Sequence, residues 1–120
     1  MRNERRIRNR PRRGEGAMYR VLQRQEVRYG QFKEFVDLIA EVNALLRDRG
    51  LAQFKAWTPT VGRGNEIVLE TEYPDLAAFA RESETFSSDP ELMKVWRTGA
   101  ELVVQGSLVT EMLEPAPDLA

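Results

Sequence analysis

Two glutamates, Glu70 and Glu72, stand two positions apart in EIVLETEY, a run that reads as a β-strand, so their carboxyl groups share one face. Carboxylates paired this way can separate in pKa and divide acid and base work between them. The same spacing also builds a cross-strand ion-pair ladder, with Lys55 opposite and Arg20 or Arg24 alongside. Trp57 and Trp96, with Tyr19, Phe54 and Tyr73, offer flat apolar faces on which a planar ligand can stack, or which pack as core or interface. The candidate ligand-binding set is Tyr19, Phe54, Tyr73 and Trp96. Tyr29, at a strand-to-helix junction, reads either as a pocket mouth or as a surface hinge. No residue stands out as a catalytic group.

What the chain lacks narrows the chemistry further. Its 120 residues include no cysteine and no histidine. Thiolate nucleophiles, disulfides, histidine general bases, histidine-ligated haem and ordinary zinc sites are therefore excluded. An all-carboxylate site for magnesium or calcium stays open, but no metal and no cofactor are expected. No apolar run approaches a membrane span, and the N-terminus has no apolar secretory segment, so a cytoplasmic protein is expected.

The net charge of -1 hides an asymmetry. Residues 1–16 carry seven arginines against two glutamates, a balance of +5, and the remainder is acidic at −6. Residues 1–17 are expected to be a disordered basic tail, because one large aliphatic residue, Ile7, cannot offset the entropy of ordering them. The segment reads as a basic arm, a solvated tail, or a leader before a native start at Met18. It holds no aromatic residue for base stacking, and the folded part is acidic, so a nucleic-acid partner is not expected.

Elements then follow from periodicity. Residues 17–28 alternate as a strand, with Tyr19, Val21, Gln23, Gln25 and Val27 on one face and Met18, Arg20, Leu22, Arg24 and Glu26 on the other. Residues 30–49 predict a helix with a stripe of Phe32, Phe35, Val36, Ile39, Val42 and Leu46, widened by Leu38 and Leu45 and stopped by Gly50. QFKAWTPTV and EIVLETEY predict a hairpin turning at GRGN. Val61 then faces Glu66, Trp57 faces Glu70 and Lys55 faces Glu72; on the other side Phe54 faces Tyr73, Ala56 faces Thr71 and Thr60 faces Ile67. That second side, with Leu69, is assigned to the helix-covered face, and Pro59 puts its strand at an edge or a bulge. A second helix after Pro74 is expected to bury Leu76, Phe79 and Ala80. The helical pattern breaks at SSDPE, where Ser88 and Glu91 fit a capping box and a new segment lines Leu92, Trp96, Gly99 and Val103 inward. VVQGSLVTEML reads as a last strand, and 115–120 as a tail.

Strand, helix, strand, strand, helix, strand is the split βαβ order, so the fold class is α+β: a ferredoxin-like βαββαβ domain over residues 18–114 with an antiparallel sheet and both helices on one face. The other sheet face, with Met18, Leu22, Trp57, Val61 and Val68, needs a cover, and a second copy closing a dimeric α/β barrel across a twofold axis is the simplest one.

MYRVLQRQEVRYGQFKEFVDLIAEVNAL, FKAWTPTVGRGNEIVLETEYPDLAAF and FSSDPELMKVWRTGAELVVQGSLVTEML together resemble the dimeric α/β-barrel superfamily, most of all its NIPSNAP-like bacterial members, near the antibiotic-biosynthesis monooxygenase-like domains. The resemblance implies relatives that are cofactor-independent oxygenases of polyketide-like aromatics or haem-degrading proteins. The latter use a histidine ligand that this chain lacks. No catalytic residue is carried over. The expected function is a homodimeric small-molecule-binding or accessory module for a small apolar or aromatic ligand. The alternative is a cofactor-independent oxygenase or cyclase acting on an aromatic metabolite.

Overall fold

The computed structural model describes residues 18–117, so the arginine-rich segment and the disorder expected of it lie outside the described residues. The elements are β1 (Tyr19–Glu26), α1 (Phe32–Asp48), β2 (Lys55–Trp57), β3 (Glu66–Tyr73), α2 (Leu76–Ser88), α3 (Pro90–Ala100) and β4 (Val109–Leu113). The four strands form one antiparallel sheet in the order β2-β3-β1-β4. This is the ferredoxin-like arrangement, with β1 central and β2 at an edge.

Strand alternation sorts the sheet into two faces. Val21, Val27, Ile67, Leu69 and Tyr73 are buried on the side where the helices pack. The expected stripe of α1 supplies Phe35, Ile39, Val42 and Leu46 to the core, with Leu38 widening it as expected, but Val36, placed in the stripe, is exposed. Leu38 is drawn in by Gly99 of α3: a Cβ there would lie 3.0 Å from Leu38 Cδ2, so the missing side chain lets the two helices meet.

Several local readings are corrected. The hairpin pairs Lys55 with Glu70, Ala56 with Leu69 and Trp57 with Val68, two residues from the expected register. Pro59 has no N–H to extend the ladder, so β2 stops at Trp57 and the connection runs through 58–65, leaving Val61 in the loop rather than on the sheet. A shift of two leaves every side chain on its expected face. The last strand is shorter than expected: Val103 makes only an isolated bridge to Val27, and Gly106, at φ 82°, turns the chain before β4. On α2, Leu76 and Ala80 are exposed and Ala78 is buried instead.

The cap between α2 and α3 is Asp89, not Ser88. Its Oδ1 accepts from the N–H groups of Glu91 at 3.0 Å and Leu92 at 3.1 Å, and Pro90 occupies the first turn at no cost in hydrogen bonds. Its Oδ2 accepts from Arg49 Nε, while Arg49 Nη2 donates to Glu91 at 2.6 Å. The Leu92 N–H, and then the Arg49 guanidinium, hold the Asp89 carboxyl below the ordinary carboxylate value. A depressed folded-state pKa gives stability that is present above the unfolded value, roughly pH 4, and lost as pH falls through the folded one. Asp89→Ala is expected to lower the thermal midpoint more than Asp89→Asn, which keeps a capping oxygen. From pH ~4 downward, wild type should lose stability more steeply than Asp89→Asn. Parallel acid limbs in circular-dichroism melts would contradict this.

Candidate ligand cavity

Between the sheet and the helices lies a cavity of about 190 Å³. Its construction begins at the end of α1. Gly50, at φ 69°, lets the chain reverse: its N–H reaches Arg47 O at 3.1 Å and the Leu51 N–H reaches Leu46 O at 2.9 Å. This is the glycine-dependent helix stop anticipated for Gly50, and it brings Leu46 and Leu51 together on the cavity wall.

The next residues are held by two side chains that sequence reasoning missed. Asn43 Nδ2 donates to Phe54 O at 2.8 Å, and Phe54 N donates to Asn43 Oδ1 at 2.7 Å. The amide thus imitates a neighbouring strand and satisfies both backbone groups of Phe54. Glu82 Oε1, from α2, accepts from the Ala52 N–H at 2.7 Å. A polar residue midway along an amphipathic helix is the only sequence signal for Asn43, and Glu82 gives none.

Anchored in this way, the Phe54 ring stacks on Trp96 with centroids 5.5 Å apart and planes 15° from parallel. Phe86 also meets Trp96, with the two rings nearly perpendicular at 5.5 Å, and Tyr73 meets Phe79 edge-on at 5.3 Å. Val21, Gln23, Thr71 and Tyr73 form the sheet side of the cavity, and Glu82 and exposed Ser83 lie on its α2 side. Three of the four candidate residues, Phe54, Tyr73 and Trp96, therefore converge. Tyr19 pairs with Tyr73 on the same sheet face and is buried, but it is not among the lining residues. A second, smaller space of about 100 Å³ shares Trp96 as a wall and is lined also by Gln25, Phe35 and Leu38. Burial pushes the Tyr73 hydroxyl above its ordinary value, and its hydrogen bond with Thr71 offsets part of that rise.

The opposite sheet face is a different surface. Trp57 is 52% exposed, Val109 54% and Leu113 45%. They lie among neutralised charges: Arg20 pairs with Glu72 at 3.2 Å and Arg24 with Glu111 at 2.8 Å. Trp57 Nε1 donates to Glu70 at 3.2 Å, and Lys55 Nζ lies 5.9 Å from the Trp57 ring centroid. Glu70 and Glu72 thus have partners on this face, away from the cavity; the ion pair of the expected ladder is met at Glu72 by Arg20, while Lys55, expected opposite Glu72, pairs in register with Glu70. Tyr29 is 90% exposed in a turn. Among the described residues no group of three or more acidic side chains is gathered as a metal site would need, and no helix is long and apolar enough to cross a membrane.

The sheet order and the helices on one face define a ferredoxin-like α+β fold of the kind seen in NIPSNAP and antibiotic-biosynthesis monooxygenase-like structures. A NIPSNAP family protein of unknown function from Agrobacterium tumefaciens matches with a TM-score of 0.71 at 15% identity over 84% of this chain and 90% of that one. An uncharacterised NIPSNAP-like domain protein from Burkholderia xenovorans matches at 0.69 and 20% identity, over 88% and 94% of the two chains. SnoaB, a cofactor-independent oxygenase from Streptomyces nogalater, matches in a mutant form at 0.64 and 16% identity, over 85% and 96%. At these identities the likeness is one of fold. No protein-family model and no curated protein matches the sequence.

Two measurements check this geometry. Asn43→Ala leaves the Phe54 N–H and C=O without partners and should cost about 1–3 kcal/mol in urea unfolding, whereas Asn43→Asp, which keeps the acceptor, should cost less. The raised Tyr73 pKa gives stability present below the unfolded tyrosine value of about 10 and lost as pH rises through the folded one. Tyr73→Phe should therefore lose less stability than wild type above that pH, read as a flatter alkaline limb in thermal melts.

Proposed function

We propose that the protein is a homodimeric small-molecule-binding or accessory module whose ligand occupies the cavity between sheet and helices. The observation that carries this reading is an open space of about 190 Å³ beside a well-packed core, walled by Phe54, Tyr73, Phe86 and Trp96 with few polar groups. Such a space is below the usual range for drug-sized ligands, but an apolar cavity of roughly 150 Å³ holds benzene. It therefore suits a compact aromatic or apolar molecule of one or two rings. Phe54, Tyr73 and Trp96 are its contact residues, with Tyr19 beside Tyr73 on the neighbouring strand.

A second copy is the occupant proposed for the open sheet face. Three large exposed apolar side chains, Trp57, Val109 and Leu113, lie between ion pairs that are already neutralised within one chain. Face-to-face packing thus buries apolar area at small electrostatic cost. A cytoplasmic location, with no nucleic-acid or membrane partner, completes the reading. The oxygenase alternative draws on the fold shared with SnoaB and on the same cavity; cofactor-free oxygen uptake with a compact aromatic substrate would favour it.

Native mass spectrometry of the purified full chain is expected to show a dimer carrying a small apolar molecule, and Trp96→Ala is expected to lose that molecule. Val109→Glu combined with Leu113→Glu should shift sedimentation from dimer to monomer. A wild-type chain that stays monomeric at high concentration would remove the barrel from the proposal.

A further inference from the structure

Glu82 is the sole charged residue lining the larger cavity, and no lysine or arginine lines it. It is half-buried, midway along α2. Its Oε1 accepts from the Ala52 N–H at 2.7 Å, and among the described residues no lysine or arginine forms an ion pair with it. The tie to the backbone does not call for a charge. Asn43 makes the corresponding tie to Phe54 with a neutral amide, and a glutamine at 82 would offer Ala52 the same acceptor. A carboxylate drawn partly out of water beside apolar walls costs free energy unless a cation joins it, so the charge itself needs an explanation. That charge reaches the interior: burial is the main cause that raises the Tyr73 hydroxyl above its ordinary value, and Glu82 adds to the rise.

The wall around Glu82 has the complementary character. Phe54, Tyr73, Phe79, Phe86 and Trp96 all line the cavity. Phe54 and Trp96 lie within 15° of parallel, while Phe86 stands at 85° to Trp96 and Phe79 at 75° to Tyr73, so ring faces are presented in more than one direction. The face of an aromatic ring is its negative side and attracts a cation. The glutamines of β1 add no contact for a ligand: Gln23 Oε1 and Gln25 Nε2 are fully enclosed without a partner, a cost to stability only. A carboxylate has about four acceptor sites, and the Ala52 N–H takes one. An anionic ligand has nothing in this space to offset its desolvation.

We propose that the cavity binds a small organic cation, an ammonium group on a compact apolar body, with Glu82 as its counter-ion and the aromatic wall holding the carbons around the nitrogen. This inference rests on the ligand-cavity reading and adds the charge of the ligand.

Isothermal titration calorimetry of the full chain at neutral pH tests it with two probes of one shape, phenyltrimethylammonium and its uncharged counterpart tert-butylbenzene. Wild type is expected to bind the cation roughly tenfold tighter than the neutral probe. Glu82→Gln keeps the acceptor for Ala52, so it should melt close to wild type, bind tert-butylbenzene as before and lose most of the preference for the cation. Trp96→Ala should weaken both probes. A preference that survives Glu82→Gln, or cation binding that survives Trp96→Ala, would overturn the inference. Equal binding of the two probes by wild type would also overturn it while leaving the cavity as a ligand site, a comparison that needs no variant. Binding of neither probe would remove the cavity reading and this inference together.

Discussion

Strand β1 is paired along both of its edges, with β3 on one side and β4 on the other, and everything else hangs from its alternation. Because every backbone group between Arg20 and Arg24 is committed to a neighbour, no side chain of the strand can change face without breaking two ladders at once. Val21 and Val27 must then be buried among the helices, and Arg20, Leu22 and Arg24 must point the other way. The same constraint delivers Gln23 and Gln25 to the interior. Their burial is therefore imposed by the register of the whole sheet, and the energetic cost is accepted rather than avoided.

That cost is one of two paid in the same place. The second is the space of about 190 Å³ itself, whose lining side chains lack the packing partners that a filled core would give them. Larger side chains at Ala52 or Ser83 would fill it. Instead, the wall is held open by polar ties to the backbone, Asn43 on Phe54 and Glu82 on Ala52. These ties hold residues 52–54 in place alongside their apolar contacts, Ala52 with the Val21 and Tyr73 cluster and Phe54 with Trp96. The wall is rigid because its peptide groups are satisfied, and the space behind it survives for the same reason.

How much of this was legible in the sequence depends on whether a feature acts through periodicity. The helical stripe of Phe35, Ile39, Val42 and Leu46, the alternation of β1 and β3, and the β-strand order all express a repeat, and they were readable. The hairpin register was not, because Pro59 ends β2 early and the length of the following loop obeys no repeat; parity protected the face assignment from that error. The inner side of α2 was misread at Leu76 and Ala80, since that helix contributes Ala78 to the core and uses Phe79, Glu82 and Phe86 to line a cavity, which sets no apolar period. Phe54, Tyr73 and Trp96 could be named as aromatics from sequence, and the structure brings them together. Asn43 and Glu82 bond to backbone atoms distant in the chain, and nothing local to either residue announces it.

The break between α2 and α3 ties these features together. A continuous helix from Leu76 to Ala100 would lie straight along the sheet and could not fold Phe86 back edge-on to the Trp96 ring that stacks on Phe54. Asp89 ends one helix and caps the next, turning the chain by about one residue of extended backbone, φ -91° and ψ 113°. Arg49 then binds Asp89 and Glu91 from the end of α1, one residue before Gly50 reverses the chain toward Phe54. The helix break and the glycine reversal are thus joined by a single guanidinium, with the aromatic wall between them. Moving α3 relative to α1 would shift Trp96 against Phe54, which Asn43 ties to α1, so both this ionic junction and the Leu38–Gly99 contact at the other end of the same pair of helices bear on the shape of the cavity.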